Sequence, residues 1–238
     1  MVEDRFPRQP TRDPLDWLPF LLQTTDPTFP TGGYAHSYGL EGAVELGLVH
    51  DVATLETFLQ DEVLAALEGL ELPFLRFAYE AQDVDEFLAL DALYDASVLP
   101  AEARQASRQL GQRRLAILAR IYDDKRLQSL QAQVQSQQTP GHQVIVNGLQ
   151  AQVGGMPLSA ALTAHAYQTL TTVLQASMKL IRIGQEGCQK LLTPLLQELP
   201  QVVETSCQID RDDAGVTVPT LDLASCRHAT AFSRLFIS

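Results

Sequence analysis

The sequence predicts an all-α fold, a single-domain bundle of roughly eight to ten helices with a flexible C-terminal tail. Apolar residues recur at helical spacing through most of the chain, and aspartate or proline stands where several of these periodic segments begin. No segment shows the sustained alternation of apolar and polar residues that is typical of a strand. With 238 residues, 45% of them hydrophobic, the chain is long enough to bury a sizeable core.

Helix starts in the first half of the chain are marked by residues that cap or open a helix. An aspartate can accept hydrogen bonds from the free N–H groups of a first turn, and proline fits the first helical position. The residues that mark the expected starts are Asp13 with Pro14, Asp51, Pro73, Asp83 and Pro100. We therefore expect a disordered N-terminus over residues 1–12 and a helical domain from residue 13 onward. The later run "QSLQAQVQSQQTPGHQ" is polar and ends in a Pro-Gly turn, which predicts a frayed helix and a loop.

The strongest helical pattern begins at Pro157, and Gly184 is expected to end it. Its apolar residues, which return every fourth position, are Leu158, Leu162, Ala166, Leu170, Leu174 and Met178. This pattern predicts a central helix packed on several sides. In the next helix we expect Pro194 to kink or restart the chain, with a separate short helix over "QVVETSCQI".

The C-terminal segment differs in composition from the rest of the chain. Residues 13–210 are expected to form the helical domain, whereas "RDDAGVTVPT" has the composition of a loop. The sequence then ends in a short helix with an apolar and basic tail, "LDLASCRHATAFSRLFIS". Such a tail carries more apolar side chains than a free terminus normally exposes, so residues 211–238 are expected to dock on a partner.

Charge and composition exclude several classes of protein. The formal net charge of −12 disfavours binding to nucleic acid, whose phosphates attract basic surfaces. No run approaches the roughly 18–20 apolar residues of a membrane span, and the N-terminus lacks the apolar core of a secretory signal. Three cysteines without a CxxC pair favour a reducing compartment, so we expect a cytoplasmic protein.

The charge is also distributed unevenly along the chain. Fourteen acidic residues and one basic residue, Arg76, lie between Glu41 and Asp95, and seven basic residues lie between Arg104 and Arg126. Two interpretations remain open at this point. These segments are either solvated helix faces or complementary docking patches that steer partners.

No catalytic set or cofactor site can be built from the sequence. Gly32 and Gly33 lack the preceding strand and the GK[ST] ending of a phosphate loop. We expect them instead to let the chain turn with a positive φ and come close to a neighbouring helix. His36 and Ser37 are adjacent, so on a helix they would point about 100° apart and could not act as a nucleophile and its base. Cys226 and His228 are the one close pair of soft metal ligands, where a structural zinc site needs four. We therefore expect a protein that is not an enzyme and has neither a cofactor nor a resident metal.

Three motifs carry a resemblance to a known family. "FPTGGYAHSYGLE" matches a pattern like LPxGG[FY]xxSxGLE, "SMKLIRIGQEGCQKLL" matches xxKLIPxGQxxxQxLL, and "LDLASCRHATAFSRLFIS" matches DIxSMRHExxxSRLFxS. They occur in this order from about residue 15 to the C-terminus. In these motifs the sequence resembles the UreF family of urease accessory proteins. It departs from the family pattern at Thr31, Cys226, Ala229 and Ala231.

The resemblance implies an all-α protein without a cofactor, which often forms a homodimer and works with other accessory proteins. Such proteins bind UreD and recruit the nickel-carrying GTPase UreG, and the assembly delivers nickel to apo-urease. Matching positions in the first motif are Gly32, Gly33, Tyr34, His36, Ser37, Gly39, Leu40 and Glu41. Those in the other two motifs are Lys179, Gly184 and Gln185, then Arg227, His228, Ser233 and Arg234. The resemblance implicates the first two regions in the dimer and the GTPase-facing surface, and the tail in UreD binding.

Two alternative functions stay open. The protein could stimulate the GTPase directly by inserting an arginine, because such an arginine stabilises charge that develops on phosphate. The candidates are Arg182, Arg104, Arg108, Arg113 and Arg114. The other alternative, a small-molecule enzyme that uses Tyr34–Glu41, is disfavoured because no nucleophile–base pair is present.

Overall fold

The computed structural model describes residues 15–215, 218–228 and 234–237. Within these ranges the chain forms ten helices and no strand, which confirms the all-α prediction. The helices are α1 Leu18–Thr25, α2 Leu40–Glu45, α3 at residues 52–80, α4 Val84–Ser97, α5 Ala101–Ile121, α6 Lys125–Gln135, α7 Gln143–Val153, α8 Leu158–Leu180, α9 Gln185–Gln208 and α10 Pro219–His228. A single 3₁₀ turn, Gly33–Ala35, lies between α1 and α2. The predicted start at Asp13 and the N-terminal residues 1–12 lie outside the described residues.

Helix α3 runs continuously from residue 52 to residue 80, and its last α-helical stretch begins at Leu72, so the helix start predicted near Pro73 is found inside a longer helix. Its α-helical stretches, Val52–Thr57, Leu64–Ala66 and Leu72–Glu80, are separated by the π-helical segments Phe58–Val63 and Leu67–Glu71. Pro73 therefore stands in the first turn of the last stretch, directly after a widened turn, where a missing N–H is tolerated. The predicted cap at Asp51 is confirmed, since its carboxylate accepts a hydrogen bond from Thr54 N at 2.8 Å.

Helix α9 also runs through the positions where the sequence predicted a break. Pro194 and Pro200 both lie inside Gln185–Gln208, and both are exposed to solvent. A proline frees the carbonyl one turn before it, but on a solvent-facing side water can satisfy that group. The opposite face buries Leu191, Leu195 and Leu199, and this tertiary packing maintains the helix across both prolines.

The middle of the core is formed by α7, a helix that the sequence analysis did not predict. Nine of its eleven residues are buried. It packs against the last stretch of α3 and against α5. A helix that is covered on every side has no polar face, so it lacks the amphipathic period by which helices are recognised. Helix α8 begins after Pro157 as predicted and buries Leu162, Leu170 and Leu174, although Met178 is exposed.

A buried carboxylate fixes the loop that leads into α7. Asp91 of α4 is fully buried and accepts hydrogen bonds from Gly141 N at 2.6 Å and His142 N at 2.8 Å, and from the Thr139 hydroxyl. His142 is held in turn by Asp95, 2.7 Å from its Nε2. The Pro-Gly loop that the sequence predicted is therefore a rigid part of the core.

We expect Asp91→Ala to lower the free energy of unfolding by roughly 2–4 kcal/mol. The substitution leaves two buried backbone N–H groups without an acceptor, and each costs about 1–3 kcal/mol. Urea denaturation followed by circular dichroism measures the loss. Asp85→Ala, at an exposed position of the same helix, is the matched control and should change little. Equal stability of the two variants would contradict the anchoring role of Asp91.

None of the helices in the described ranges is both long and apolar enough to span a bilayer.

Candidate partner-docking surface

Three segments that are far apart in the sequence meet on one side of the molecule. Ile237 N donates a hydrogen bond to Ala35 O at 2.8 Å, so the end of the chain lies against the 3₁₀ turn. Lys179 Nζ lies 5.1 Å from the centre of the Phe236 ring. The first motif, the end of α8 and the C-terminal residues are thereby brought together.

The side chains exposed at this junction are mostly apolar. Tyr34 is 76% exposed, Leu235 66%, Ile237 57% and Met178 37%, and Lys179 is exposed beside them. We call these five residues the motif surface. A cluster of exposed apolar side chains with a cation at its edge is typical of a protein-binding surface.

The first motif forms a compact turn, and the helix starts later than its sequence suggested. Gly32 (φ +87°), Gly39 (φ +79°) and Tyr38 (φ +56°) adopt left-handed conformations, and α2 begins only at Leu40. The expectation of a glycine turn is confirmed at Gly32. Gly33, in contrast, has no positive φ, and a Cβ built there meets no atom within 4 Å.

The close approach to a neighbouring helix that we expected at the glycine pair is found at Gly32, where a Cβ would lie 2.6 Å from Arg113 Nη1 of α5. A closer approach, between two backbones, occurs at Gly42. A Cβ at Gly42 would lie 1.9 Å from Ala224 O, which belongs to the backbone of α10. Helix α10 therefore rests directly on α2, and only glycine leaves room for it.

His36 and Ser37 are buried beneath the motif surface. His36 is 7% exposed and Ser37 is fully buried, and Ser37 Oγ accepts a hydrogen bond from Glu41 N at 3.3 Å. Burial, with a smaller contribution from the Arg113 guanidinium, lowers the pKa of His36 below its usual range. His36 is therefore neutral at pH 7, and neither side chain is placed to touch a partner directly.

Glu41 and His228 are the centre of a buried polar cluster that joins the tail to the core. The Glu41 carboxylate accepts hydrogen bonds from Leu235 N at 2.7 Å and Phe236 N at 3.0 Å. His228 Nε2 lies 2.9 Å from Glu41, and Nδ1 lies 2.7 Å from Glu102 of α5. Glu102 also accepts a hydrogen bond from Arg234 at 2.8 Å. We call these four side chains the Glu41 cluster.

The tail is thus partly packed and partly exposed. Leu221 and Phe236 are buried against the chain itself, whereas Leu223 and Leu235 are exposed. Arg227 is half exposed and lies 3.8 Å from Glu45 of α2. Residues 216–217, 229–233 and 238 lie outside the described residues, so Ser233 of the third motif has no assigned position.

A cavity of about 180 Å³ lies beneath α10. Leu221, Asp222 and Ser225 of α10 form part of its wall. Deeper in the cavity the Glu71 carboxylate accepts a hydrogen bond from Tyr38 OH at 2.6 Å and faces His165 Nε2 at 2.7 Å. Burial, reinforced by Glu71, raises the pKa of Tyr38 well above its usual value, so the phenol stays protonated.

His165 and His228, the histidine that the sequence offered as a possible metal ligand, are both engaged by protein groups. His165 is a core histidine that faces Glu71 and, at 3.0 Å, Asn147. His228 is 1% exposed between two carboxylates, whereas Cys226, its expected partner, is exposed. Among the described residues, no group of three or more His, Cys, Asp or Glu side chains is arranged to hold a metal ion.

The arginines in the first half of α5 are engaged by the chain itself, although Arg113 is exposed and the Arg108 side chain is 39% exposed. Arg104 donates to Val98 O at 2.9 Å, Arg108 pairs with Asp95, and Arg113 donates to Thr31 O at 3.4 Å. Arg114 is buried and donates to Thr24 O at 3.0 Å, and burial lowers its pKa to about 10. The chain itself thus binds four of the arginines proposed for insertion into a GTPase. Arg182, between α8 and α9, and Gln185, the first residue of α9, are exposed.

Comparison with known proteins gives consistent matches along the chain. A family model described as UreF matches residues 49–196. The urease accessory protein UreF of Paenarthrobacter aurescens (strain TC1) is 33% identical over 218 residues, which are 92% of this chain and 96% of that protein. The protein of the same name from Arthrobacter sp. (strain FB24) is 34% identical with the same coverage. That from Actinobacillus pleuropneumoniae is 33% identical over 221 residues, 92% of this chain and 97% of the relative. These alignments are longer than the matched family region, so they extend into the segments that carry the first or third motif.

Proposed function

Because the chain belongs to the UreF family of urease accessory proteins, we propose that it bridges UreD and the GTPase UreG so that nickel can be inserted into apo-urease. Its relatives are named urease accessory proteins, and we infer that this chain too is an accessory factor and not an enzyme. In this proposal nickel is the cargo of the assembly. The assembly works in the cytoplasm, and the protein forms a homodimer through the region of the first motif.

The observation that carries this proposal is the meeting of all three motifs on the motif surface. The tail residues assigned to UreD and the residues assigned to UreG adjoin one another, since Ile237 binds Ala35 and Lys179 packs over Phe236. A protein that holds two partners on adjoining surfaces can couple their states without chemistry of its own. Exposed Tyr34, Leu235 and Ile237 supply the apolar contact area, and aromatic and aliphatic anchors of this kind dominate binding energies.

Within the motif surface and its edge, different residues would serve different partners. We assign the exposed tail residues, with Arg227 and Arg234 beside them, to UreD. We assign Tyr34, Lys179, Arg182 and Gln185 to UreG and to the dimer contact. Gly32, Gly33, Gly39, His36 and Ser37 give the turn its shape, and Glu41 and His228 hold the tail in place.

Direct stimulation of the GTPase is a second candidate function, and Arg182 is the arginine that we would test first. This arginine is exposed next to the motif surface, whereas the four candidates of α5 are bound by their own chain. An arginine that stabilises the transition state typically raises the rate of hydrolysis by about 10³-fold or more. Single-turnover GTP hydrolysis by UreG with wild-type protein or Arg182→Ala distinguishes the two functions, because bridging alone does not need this side chain for hydrolysis.

We expect Leu235→Asp to abolish co-purification with UreD while leaving the fold intact. Leu235 is 66% exposed, so a carboxylate there costs little in the free protein but would be buried without a partner in the complex. Ile121→Asp is the matched control, because Ile121 is 50% exposed at the other end of α5 from Glu102. Along the axis of α5, Ile121 lies roughly 28 Å from Glu102, since an α-helix rises 1.5 Å per residue. Pull-down with UreD and UreG, with and without nickel and GTP, measures the effect, and UreD binding by Leu235→Asp at the wild-type level would contradict the proposal.

A further inference from the structure

A second, smaller cavity lies between α5, α7 and α8. Its volume is about 20 Å³, and Arg114 of α5 and Asn147 of α7 form part of its wall. Arg114 is 3% exposed and Asn147 is 6% exposed, so both side chains are almost entirely shielded from bulk water. A buried polar atom without a partner is unfavourable, and such atoms are nearly always hydrogen-bonded. We therefore followed each polar atom of these two side chains to its partner.

The protein supplies partners for most of these atoms. Arg114 Nη1 donates to Thr24 O at 3.0 Å and to Gln150 Oε1 at 2.8 Å. Asn147 Nδ2 lies 3.0 Å from His165 Nδ1. Within the described part of the chain, however, Arg114 Nε and Asn147 Oδ1 have no hydrogen-bond partner. One donor and one acceptor are thus left over on two residues that line the same cavity.

The chemistry of these two atoms limits what can occupy the cavity. Arg114 Nε carries an N–H and needs an acceptor, whereas Asn147 Oδ1 needs a donor. An anion could accept from the N–H but would be repelled by the amide oxygen, and a metal cation could not accept a hydrogen bond. A water molecule can do both. The cavity is slightly larger than the roughly 10–15 Å³ that one water needs, so it excludes a larger ligand.

We propose that one ordered water molecule occupies this cavity, where it accepts a hydrogen bond from Arg114 Nε and donates one to Asn147 Oδ1. The water bridges α5 and α7 inside the core. Buried waters usually make about three hydrogen bonds, and the polar residues Thr25 and Gln168 also line the cavity. This inference concerns the isolated chain and does not depend on the proposed function.

The bridge completes a polar network that holds the end of α1. Gln150 joins Arg114 to α1, because its Nε2 donates to Thr24 Oγ1 at 3.0 Å. The Arg114 guanidinium also lies 5.2 Å from the centre of the Phe29 ring, and Phe29 is the first residue of the first motif. A buried polar network is rigid when each of its members is satisfied. The water therefore has a positioning role: it fixes Arg114, and through Arg114 the end of α1 and the start of the first motif.

A crystal structure of the wild-type protein tests the occupant without a variant. We expect an electron-density peak within hydrogen-bond distance of both Arg114 Nε and Asn147 Oδ1. Soaking crystals in bromide tests for an anion, because bromide scatters X-rays anomalously. An anomalous peak in the cavity, a cavity without density, or protein partners for both atoms would overturn the proposal.

Oxygen-17 magnetic relaxation dispersion tests the site in solution, because it counts the waters that stay inside a protein for longer than the protein takes to tumble. We expect Asn147→Leu to hold one such water fewer than the wild type, since the acceptor Oδ1 is removed. Gln152→Leu is the matched control: it also removes a polar side chain of α7, but Gln152 does not line either cavity. Equal counts in the wild type and both variants would refute the site.

Hydrogen–deuterium exchange tests the positioning role. In Asn147→Leu we expect the backbone amides of α1 to exchange faster by roughly tenfold, a factor in the range expected for one buried hydrogen-bonding group left unsatisfied. The amides of α9 are the internal reference for global destabilisation and should change less than those of α1. If α1 exchanged no faster than α9 relative to the wild type, the water would not hold the end of α1, and the positioning role would be wrong.

Discussion

Leu170→Asp is expected to unfold the protein. Leu170 lies in the middle of α8 and is fully buried. The substitution removes a leucine from a packed site, which typically costs about 2–5 kcal/mol, and places a carboxylate where no cation is provided. Because the whole stability of a domain is about 5–15 kcal/mol, the combined penalty is comparable with all of it. Circular dichroism should show loss of helix at 25 °C, or a melting temperature far below that of the wild type.

The matched control for this experiment is Thr163→Asp, which places the same charge on the exposed face of the same helix. It should fold normally, since surface substitutions usually change stability by less than about 0.5 kcal/mol. If Leu170→Asp melted at the same temperature as Thr163→Asp, α8 would not be the centre of the core. The experiment tests the placement that the sequence predicted for this helix from its four-residue apolar period.

The sequence could predict those helices that have one solvent-exposed face and a residue that marks where the helix begins. Helix α8 after Pro157 and α3 after Asp51 meet both conditions, and both begin where expected. Helix α7 meets neither condition, because His142, the residue before it, makes no side-chain cap and nearly all of the helix is buried. The restart that the sequence allowed at Pro194 and the separate helix expected over residues 201–209 were wrong for a different reason. Local propensity favours a break there, but tertiary packing of the apolar face outweighs about 3 kcal/mol per proline.

The candidate site could be predicted only in part, because its geometry depends on contacts between distant segments. The motifs named residues that come together in the structure, but no spacing in the sequence shows that Ala35 and Ile237 are hydrogen-bonded. For the arginines of α5, in contrast, the sequence suggested a grouping that the structure does not show. Their clustering suggested a basic patch, whereas acceptors from α1, α4 and the first motif bind them one by one. The role of Glu102 in holding the tail had no signal in the sequence, since a single glutamate in a helical first turn is common.

The interface between α2 and α10 offers the sharpest test of how the tail is held. Two backbones approach closely at Gly42, and a Cβ built there would lie 1.9 Å from the oxygen and 2.7 Å from the carbonyl carbon of Ala224. Both contacts are with backbone atoms, so no side-chain rotation can relieve them. The whole of α10 would have to move, and with it His228 and the contacts of Phe236 with Glu41.

Gly42→Ala is therefore expected to displace the tail and abolish UreD binding, while the helices of the core stay folded.

The sign of the stability change is informative in itself. Alanine in place of glycine inside an ordinary helix stabilises a protein by about 0.5–1 kcal/mol, because it reduces the entropy lost on folding. At Gly42 the added methyl group should instead destabilise it by about 1–3 kcal/mol, the usual penalty of overpacking. Thermal melting measures the sign of the stability change, and pull-down measures UreD binding. A nitroxide spin label attached to Cys226, which is exposed on α10, measures release of α10. Gly33→Ala, where the new methyl group meets no atom within 4 Å, is the control for stability and label mobility and should leave both unchanged. A Gly42→Ala protein that melts at a higher temperature than the wild type and keeps its label immobile would show that α10 does not rest on α2. If the variant had a mobile label and still bound UreD, recognition of UreD would not require the docked tail.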